Sequence, residues 1–242
     1  MAAQPQLAVL SGRPAALSLR DRIAVIGKSR SGKTTFTLEL LRGAVWSVVA
    51  AERSRPSPIP WRVVAVDTKQ STEDAARFER IGPVTTTLRD VWTLARPGVV
   101  FRPRDTEDTP LVDQVQELAA QAYERGRCTV YLDEYSEVVI NSQNAGPALR
   151  RVFKQGAGRH VGLYGGTQEP VFVPRQLLSQ STHVFLFDLF YPPDQEVAKD
   201  LNPDWVRPTA MGYPHGFYYL HVDGPGDWQF YPDKSQFFAA LH

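Results

Sequence analysis

Eight consecutive residues have the spacing that a phosphate-binding turn requires. Two glycines are separated by four residues, and the second glycine is followed by Lys33 and Thr34. Glycine lets backbone N–H groups turn inward around phosphate oxygens. Lys33 could then reach the β- and γ-phosphates of a nucleotide, and the Thr34 hydroxyl could bind Mg²⁺. The residues expected to contact the nucleotide are Gly27, Lys28, Ser29, Arg30, Ser31, Gly32, Lys33, Thr34 and Thr35.

The segments on either side of this loop support the same assignment. An apolar run at residues 23–26 predicts a strand before the loop, and residues 35–41 have helical spacing, with the helix expected to end at Gly43. A strand, a loop and a helix in this order place phosphate at the helix N-terminus, where the partial charge is positive. The alternative interpretation is an ordinary glycine turn before a helix.

Two adjacent carboxylates, Asp133 and Glu134, end a later apolar strand at residues 130–132. Residues 27–34 have the sequence of a P-loop, and the strand at 23–26 is the P-loop strand. In a P-loop fold we expect the strand that ends in the two carboxylates to lie beside the P-loop strand, so that Asp133 lies near Thr34 and holds Mg²⁺ through water. Glu134 would then orient and polarise the attacking water, as a general base does. The alternative is a strand that ends in a solvated acidic turn.

Gln168 ends another predicted strand, because Glu169 and Pro170 follow it directly. A glutamine at the carboxyl edge of a parallel sheet points toward the ligand crevice. Its amide could sense the γ-phosphate or position water, since it both donates and accepts hydrogen bonds. A strand-end polar residue bonded only to a loop remains the alternative.

Apolar runs alternate with helical patterns along the chain, which predicts an α/β fold with a mostly parallel central sheet flanked by helices. Residues 217–222 and 227–231 surround a Gly/Pro-rich turn at 223–226 and predict a C-terminal β-hairpin. Residues 1–242 are expected to form one domain, with a core at about 20–190 and a C-terminal extension at about 191–242. Further strands are expected at 14–19, 61–66, 99–101, 128–132, 161–167 and 183–189, and further helices at 72–80, 110–125, 147–154 and 175–180.

Composition narrows the classes of function. The formal net charge of +1 argues against a generally basic nucleic-acid binder, so contact with DNA would have to come from local loops. The single cysteine cannot form an internal disulfide. No apolar run approaches the ~20 residues of a membrane span, and residues 1–10 lack the basic start of a secretory signal. These features predict an intracellular soluble protein without a transmembrane segment.

Several motifs together resemble the HerA/FtsK superfamily of RecA-like P-loop ATPases. Residues 165–170 read Gly-Gly-Thr-Gln-Glu-Pro, and Val-Pro, Leu-Leu and Ser-Thr-His follow before the next strand at 183–187. Asp67-Thr68-Lys69 is similar to the Asp-x-Lys of that family. The resemblance covers residues 23–189, and the length of the chain resembles genome-packaging ATPases of tailless, membrane-containing double-jelly-roll viruses. Glu169 and Asp188 depart from the family pattern, which often has Arg at the first of these positions and Arg or another polar residue at the second.

The resemblance implies ATP and Mg²⁺ as cofactors and a homo-oligomer, expected to be a hexameric ring, that acts on double-stranded DNA. It also implies an arginine that reaches the γ-phosphate of the neighbouring subunit. Arg150, Arg151 and Arg159 are the candidates, and Arg159 matches the family position best; a solvated arginine at a helix end is the alternative. The resemblance further implies capsid-vertex or membrane-associated viral proteins as partners, and the host cytoplasm or a packaging vertex of the virion as the location.

The leading hypothesis is an ATP-driven double-stranded DNA translocase that packages a viral genome into a preformed capsid. A cellular HerA-like or conjugation-type DNA pump is the alternative within the same class. A P-loop kinase shares the phosphate loop but usually lacks the Asp-Glu and Thr-Gln strand ends. A GTPase is disfavoured because the Asn-Lys-x-Asp guanine motif is absent from the sequence.

Overall fold

The computed structural model describes residues 14–70, 72–222 and 227–241. The strands in these ranges are β1 Arg22–Ile26, β2 Arg62–Val66, β3 Val84–Thr85, β4 Gly98–Phe101, β5 Cys128–Leu132, β6 Val161–Thr167, β7 His183–Leu186, β8 Phe217–His221 and β9 Gln229–Tyr231. The α-helices are α1 Lys33–Ser54, α2 Thr72–Phe78, α3 Leu88–Thr93, α4 Leu111–Arg125, α5 Pro147–Gln155, α6 Arg175–Ser179, α7 Pro192–Leu201 and α8 Lys234–Leu241. Short 3-10 helices occupy Tyr135–Glu137, Gly156–Arg159, Pro170–Phe172 and Pro208–Met211.

All the strands of the described residues belong to one sheet, in the order β3-β4-β2-β5-β6-β1-β7-β8-β9. The strands from β3 to β7 in this order run parallel, and β8 and β9 add to the β7 edge as an antiparallel pair. The predicted mostly parallel sheet and the C-terminal hairpin strands are therefore confirmed, while the hairpin turn predicted at 223–226 lies outside the described residues. Because the strands are parallel, their carboxyl ends meet at one edge of the sheet.

Both faces of the sheet are covered, which explains why its central strands are mostly apolar. Successive residues of a strand point to opposite faces. Val64 and Val66 pack in a cluster with residues of α4 and α5, whereas Val63 and Ala65 pack in a second cluster with residues of α1 and α8. This two-sided burial holds β2 in the sheet from both faces.

The strand that carries the two carboxylates is not beside the P-loop strand, so that prediction was wrong. β5 pairs with β2 and β6, and β1 pairs with β6 and β7. One strand, β6, therefore separates β5 from β1. The carboxylates still reach the P-loop, because all three strands end at the same edge.

Two local predictions also fail, and several elements were not predicted. Helix α1 does not end at Gly43 but continues to Ser54. Gly43 lacks the positive φ that a glycine has when it caps the C-terminus of a helix. A glycine inside a helix costs only about 1 kcal/mol, and burial of Leu40, Leu41 and Val48 offsets it. Residues 14–19 form no strand. The short α3 and β3, and the helices α7 and α8 of the C-terminal extension, were not expected.

Candidate active site

The loop between β1 and α1 is anchored by the ends of two neighbouring strands. The Gly27 N–H donates to the Thr167 carbonyl at 3.0 Å, and the Lys28 N–H donates to the Asp188 carbonyl at 2.8 Å. A Cβ on Gly27 would lie 2.5 Å from Cβ of Phe187, closer than real side chains approach. The first glycine of the motif is therefore required by packing against the chain that follows β7.

The second glycine sets the direction of helix α1. Gly32 has φ of 97°, in the left-handed region that favours glycine, and α1 begins at the next residue. No side-chain hydrogen bond caps this helix. The N–H groups of its first turn therefore face the loop without a side-chain partner, as a phosphate-binding helix N-terminus requires.

A cleft of about 180 Å³ opens above this loop. Lys33, Thr34, Asp133 and Gln168, all predicted as site residues, line it together. Lys33 is 3% exposed, and this burial lowers the pKa of its ammonium, while the charges of Asp133 and Glu134 act in the opposite direction. Residues of α2 and the loop before it form the opposite wall: Lys69, Glu73, Asp74 and Arg77.

Asp133 approaches Thr34 as expected, with 3.4 Å between Thr34 Oγ1 and Asp133 Oδ1. The Tyr131 hydroxyl donates to the same Oδ1 at 2.7 Å, and burial together with the Asp133 charge raises the pKa of Tyr131, so this hydroxyl stays protonated. A hydroxyl and a carboxylate are oxygen ligands of the kind that Mg²⁺ takes together with substrate phosphates. Among the described residues, no group of three or more His, Cys, Asp or Glu side chains is placed to hold a metal ion.

Glu134 is buried beside the cleft, and its polar contacts stabilise its charged form. Its Oε2 lies 2.7 Å from Lys69 Nζ, and its Oε1 accepts from the Gln168 N–H at 3.0 Å and from Ser136 Oγ at 3.0 Å. Burial alone would raise the pKa of this carboxyl, but the charges of Lys33 and Lys69 and the hydrogen bonds outweigh it, so the pKa lies below its usual value. Glu134 is therefore an ionised carboxylate at neutral pH.

Arg159 is not part of this cleft in its own chain. It precedes β6, whereas Gln168 follows β6, so the two lie at opposite ends of that strand. Its guanidinium donates to the carbonyls of Tyr123 and Glu124 at 3.3 and 2.9 Å. Arg151 lies over the Tyr123 ring at 4.0 Å, and Arg150 donates to the Asn144 side chain at 3.1 Å.

Three residues of this region were missed as site residues. Lys69 was noted only within the Asp-x-Lys motif. Tyr131 could have been found, because it lies two residues before Asp133 on one strand and such residues share a face. His215 approaches the Ser31 carbonyl through Nδ1 at 3.4 Å, and its position in an irregular loop of the C-terminal extension gives no sequence signal.

Asp188, which departs from the family pattern, has a defined role in this chain. Its side chain is fully buried, with Oδ2 2.6 Å from Lys28 Nζ and Oδ1 3.2 Å from Arg207 Nε. Burial would raise the pKa of this carboxyl, but its hydrogen bonds to Lys28, Arg207 and Thr209 lower it below the usual value. Asp188 thus ties the P-loop to the C-terminal extension.

Replacement of Asp188 by Asn should lower the free energy of unfolding by about 2 kcal/mol near neutral pH, because two cations lose their buried partner. Urea denaturation of both proteins checks this value. Since the pKa of Asp188 is lower in the folded state, its contribution is complete above the unfolded pKa of about 4 and disappears as the pH falls through the folded value. The two stabilities should therefore converge in acid, and a pH-independent difference would contradict the assignment.

Comparison with known proteins identifies the family and the fold of the chain. A family model described as an AAA domain matches residues 11–163. The fold is similar to the genome packaging NTPase B204 from Sulfolobus turreted icosahedral virus 2 in complex with AMP, with a TM-score of 0.61, 14% identity and coverage of 89% of this chain and 98% of that chain. It is also similar to B204, the DNA-packaging ATPase from Sulfolobus Turreted Icosahedral Virus, with a TM-score of 0.59, 16% identity and coverage of 87% and 96%.

These similarities confirm the predicted P-loop ATPase fold and its resemblance to viral packaging ATPases. No curated protein matches the sequence. None of the helices in the described part of the chain is both long and apolar enough to cross a membrane.

Proposed function

Because this chain belongs to the AAA domain family and is an ATPase, we propose that it is an ATP-driven motor that moves double-stranded DNA into a preformed viral capsid. The observation that carries the proposal is the meeting of Lys33, Thr34, Asp133 and Gln168 in one cleft, with Glu134 beside them. The similarity in fold to the B204 packaging proteins supports genome packaging as the task of the motor.

The proposed chemistry assigns one role to each side chain of the cleft. Lys33 and the backbone N–H groups of the P-loop bind the β- and γ-phosphates. The Thr34 hydroxyl and Asp133 would hold Mg²⁺, which neutralises phosphate charge when bound. Glu134 orients a water molecule toward the γ-phosphorus and accepts its proton as the bond to the β-phosphate oxygen breaks, releasing ADP and phosphate. The Gln168 amide senses the γ-phosphate.

We further propose that Arg159 acts in trans within a hexameric ring. Its place at the start of β6, away from its own cleft, supports action on a neighbour rather than in cis. To reach that neighbour the guanidinium must exchange its two carbonyl acceptors on α4 for phosphate oxygens. In a trans arginine this charge stabilises the transition state and contributes about 10³ or more to turnover.

Mixed rings test this assignment. Arg159→Ala subunits have an intact P-loop, and Lys33→Ala subunits have an intact arginine, so each variant alone should be inactive while a mixture should recover part of the ATPase activity. Arg175→Ala, at a side chain that is 90% exposed, is the matched control and should behave as the unmodified protein. If Arg159→Ala alone keeps normal turnover, Arg159 is not the trans residue, and Arg150 and Arg151 are tested in the same way.

DNA dependence separates the motor from the other functions of this fold. ATPase activity should rise on assembly and on addition of double-stranded DNA of any sequence. The affinity for DNA should fall steeply with salt, because the contacts are to phosphates. Native mass measurements with and without ATP give the number of subunits in the assembly and so test the hexameric ring. A monomer that is fully active without DNA would contradict the motor and favour a P-loop kinase.

Capsid-vertex and membrane-associated viral proteins are the proposed partners, and the host cytoplasm or a packaging vertex of the virion is the proposed location. A cellular HerA-like or conjugation-type pump would use the same cleft and the same ring. Stimulation by purified empty capsids of the cognate virus, beyond the stimulation by DNA alone, would distinguish packaging from a cellular pump.

A further inference from the structure

The loop that follows β2 is held rigidly and delivers one ammonium group to the cleft. Asp67 is 1% exposed; its Oδ2 accepts from Arg102 Nε at 2.9 Å and its Oδ1 accepts from the Gln70 N–H at 2.9 Å. Gln70 Nε2 donates to the Pro103 carbonyl at 2.7 Å, and Gln70 has φ of 50°, which is uncommon for a residue with a side chain. Hydrogen bonds therefore anchor the loop at Asp67 and at Gln70, and these anchors limit where the ammonium of Lys69 can reach.

The ammonium of Lys69 occupies one oxygen of the proposed general base. Lys69 Nζ lies 2.7 Å from Glu134 Oε2, and the other oxygen, Oε1, accepts from Ser136 Oγ. The Gln168 N–H is shared between the two oxygens, at 3.0 Å from Oε1 and 3.2 Å from Oε2. An oxygen whose lone pairs are directed at an ammonium has less capacity to accept a hydrogen bond from water. In this arrangement Glu134 is less able to accept a hydrogen bond from the attacking water, which its role as general base requires.

Lys69 also faces the position of the substrate. It is 26% exposed and lines the same cleft as Lys33 and Thr34, so an incoming terminal phosphate would offer it a second anionic partner. We propose that Lys69 exchanges partners on ATP binding: it pairs with Glu134 while the cleft holds no γ-phosphate, and it moves to a γ-phosphate oxygen when ATP enters. Glu134 Oε2 then keeps only its longer contact with the Gln168 N–H, at 3.2 Å, and can accept from the attacking water. This inference rests on the proposed role of Glu134 as the general base.

The exchange couples nucleotide state to the readiness of the site. Glu134 competes with the γ-phosphate for Lys69, so part of the binding free energy of ATP is used to break the ion pair. ADP has no γ-phosphate and leaves the pair intact. A ligand can shift an equilibrium only by its differential affinity for the two states, and the γ-phosphate supplies that difference here.

Binding of a non-hydrolysable triphosphate, AMPPNP with Mg²⁺, compared with binding of ADP tests the exchange. Lys69→Gln should weaken AMPPNP about tenfold, the value of one charge-assisted hydrogen bond, and change ADP affinity by less than about twofold. Lys69→Arg should retain most of the preference for the triphosphate. Lys199→Gln, at an exposed lysine of α7, is the matched control and should bind both nucleotides normally.

Glu134→Gln removes the competitor and should strengthen AMPPNP binding by about threefold or more, without a matching gain for ADP. In the double variant Lys69→Gln/Glu134→Gln most of that gain should disappear. An equal gain with and without Lys69 would reduce the effect to simple relief of charge repulsion and overturn the exchange. Equal weakening of ADP and AMPPNP by Lys69→Gln would overturn it as well.

These are binding measurements, so they decide the exchange even if the unmodified protein fails to hydrolyse ATP, a failure that would contradict the proposed function instead. If Lys69→Gln does not fold, as judged by thermal unfolding, Lys69→Met takes its place in the single and double variants. The absence of any gain in AMPPNP affinity in Glu134→Gln would contradict the exchange in either case.

Discussion

Replacement of Lys33 by Ala should lower ATP hydrolysis about a hundredfold or more, by comparison with the loss of one transition-state donor in other enzymes. Lys33 is 3% exposed and its ammonium faces the charges of Asp133 and Glu134. Its removal takes away the cation directed at the transferred phosphate and leaves two neighbouring carboxylates with less compensating charge. Nucleotide affinity should fall as well, because those carboxylates then repel the phosphates.

Phosphate release at saturating ATP and DNA measures this loss, with Lys199→Ala as a control at an exposed lysine of the same chain. Thermal unfolding of each variant separates lost chemistry from lost folding. Hydrolysis by Lys33→Ala within about threefold of the unmodified protein would be incompatible with the transition-state role that P-loop chemistry requires.

Replacement of Glu134 by Gln should separate binding from chemistry, lowering kcat by about 10² or more because general base catalysis contributes 10²–10⁴. Glutamine preserves the shape and an oxygen that can accept from the Gln168 N–H. The nucleotide should therefore still bind, in line with the gain in triphosphate affinity expected from release of Lys69. The change removes only the negative charge and the basic oxygen.

Single-turnover measurements report the chemical step for Glu134→Gln, and equilibrium binding reports the ground state. The matched change Glu117→Gln on the exposed face of α4 should leave both quantities unaltered. A Glu134→Gln protein that binds no nucleotide would assign Glu134 a structural role, since its hydrogen bonds join the ends of β5 and β6.

The P-loop and carboxylate side of the cleft could be predicted from sequence, because its residues lie at the ends of strands or in the glycine motif, whereas the wall formed by α2 and the loop before it was not predicted. In a parallel sheet, residues that directly follow different strands meet at the same edge. Thr34, Asp133 and Gln168 do line one cleft. The sequence did not give the order of the strands. An apolar run indicates that a strand is buried but does not indicate its neighbours in the sheet. The position of β6 between β1 and β5 was therefore not predicted.

The C-terminal extension was the least predictable part of the molecule. It contacts the P-loop directly through His215 and the Ser31 carbonyl, and indirectly through Arg207, which pairs with Asp188, the partner of Lys28. Both residues follow irregular segments, where no periodicity fixes the direction of a side chain. Asp188 therefore read as a departure from a family pattern, and its meaning depends on an arginine that only the folded chain brings near.

The position of β1 within the sheet has a consequence for synthesis on the ribosome. β1 is made early but pairs only with β6 and β7, so its backbone groups have no partner until residues 161–186 have left the exit tunnel. Contacts this distant in sequence form late and slowly. A nascent chain should therefore bind no nucleotide until most of it has been translated, and during that interval an apolar strand is exposed that chaperones would have to shield.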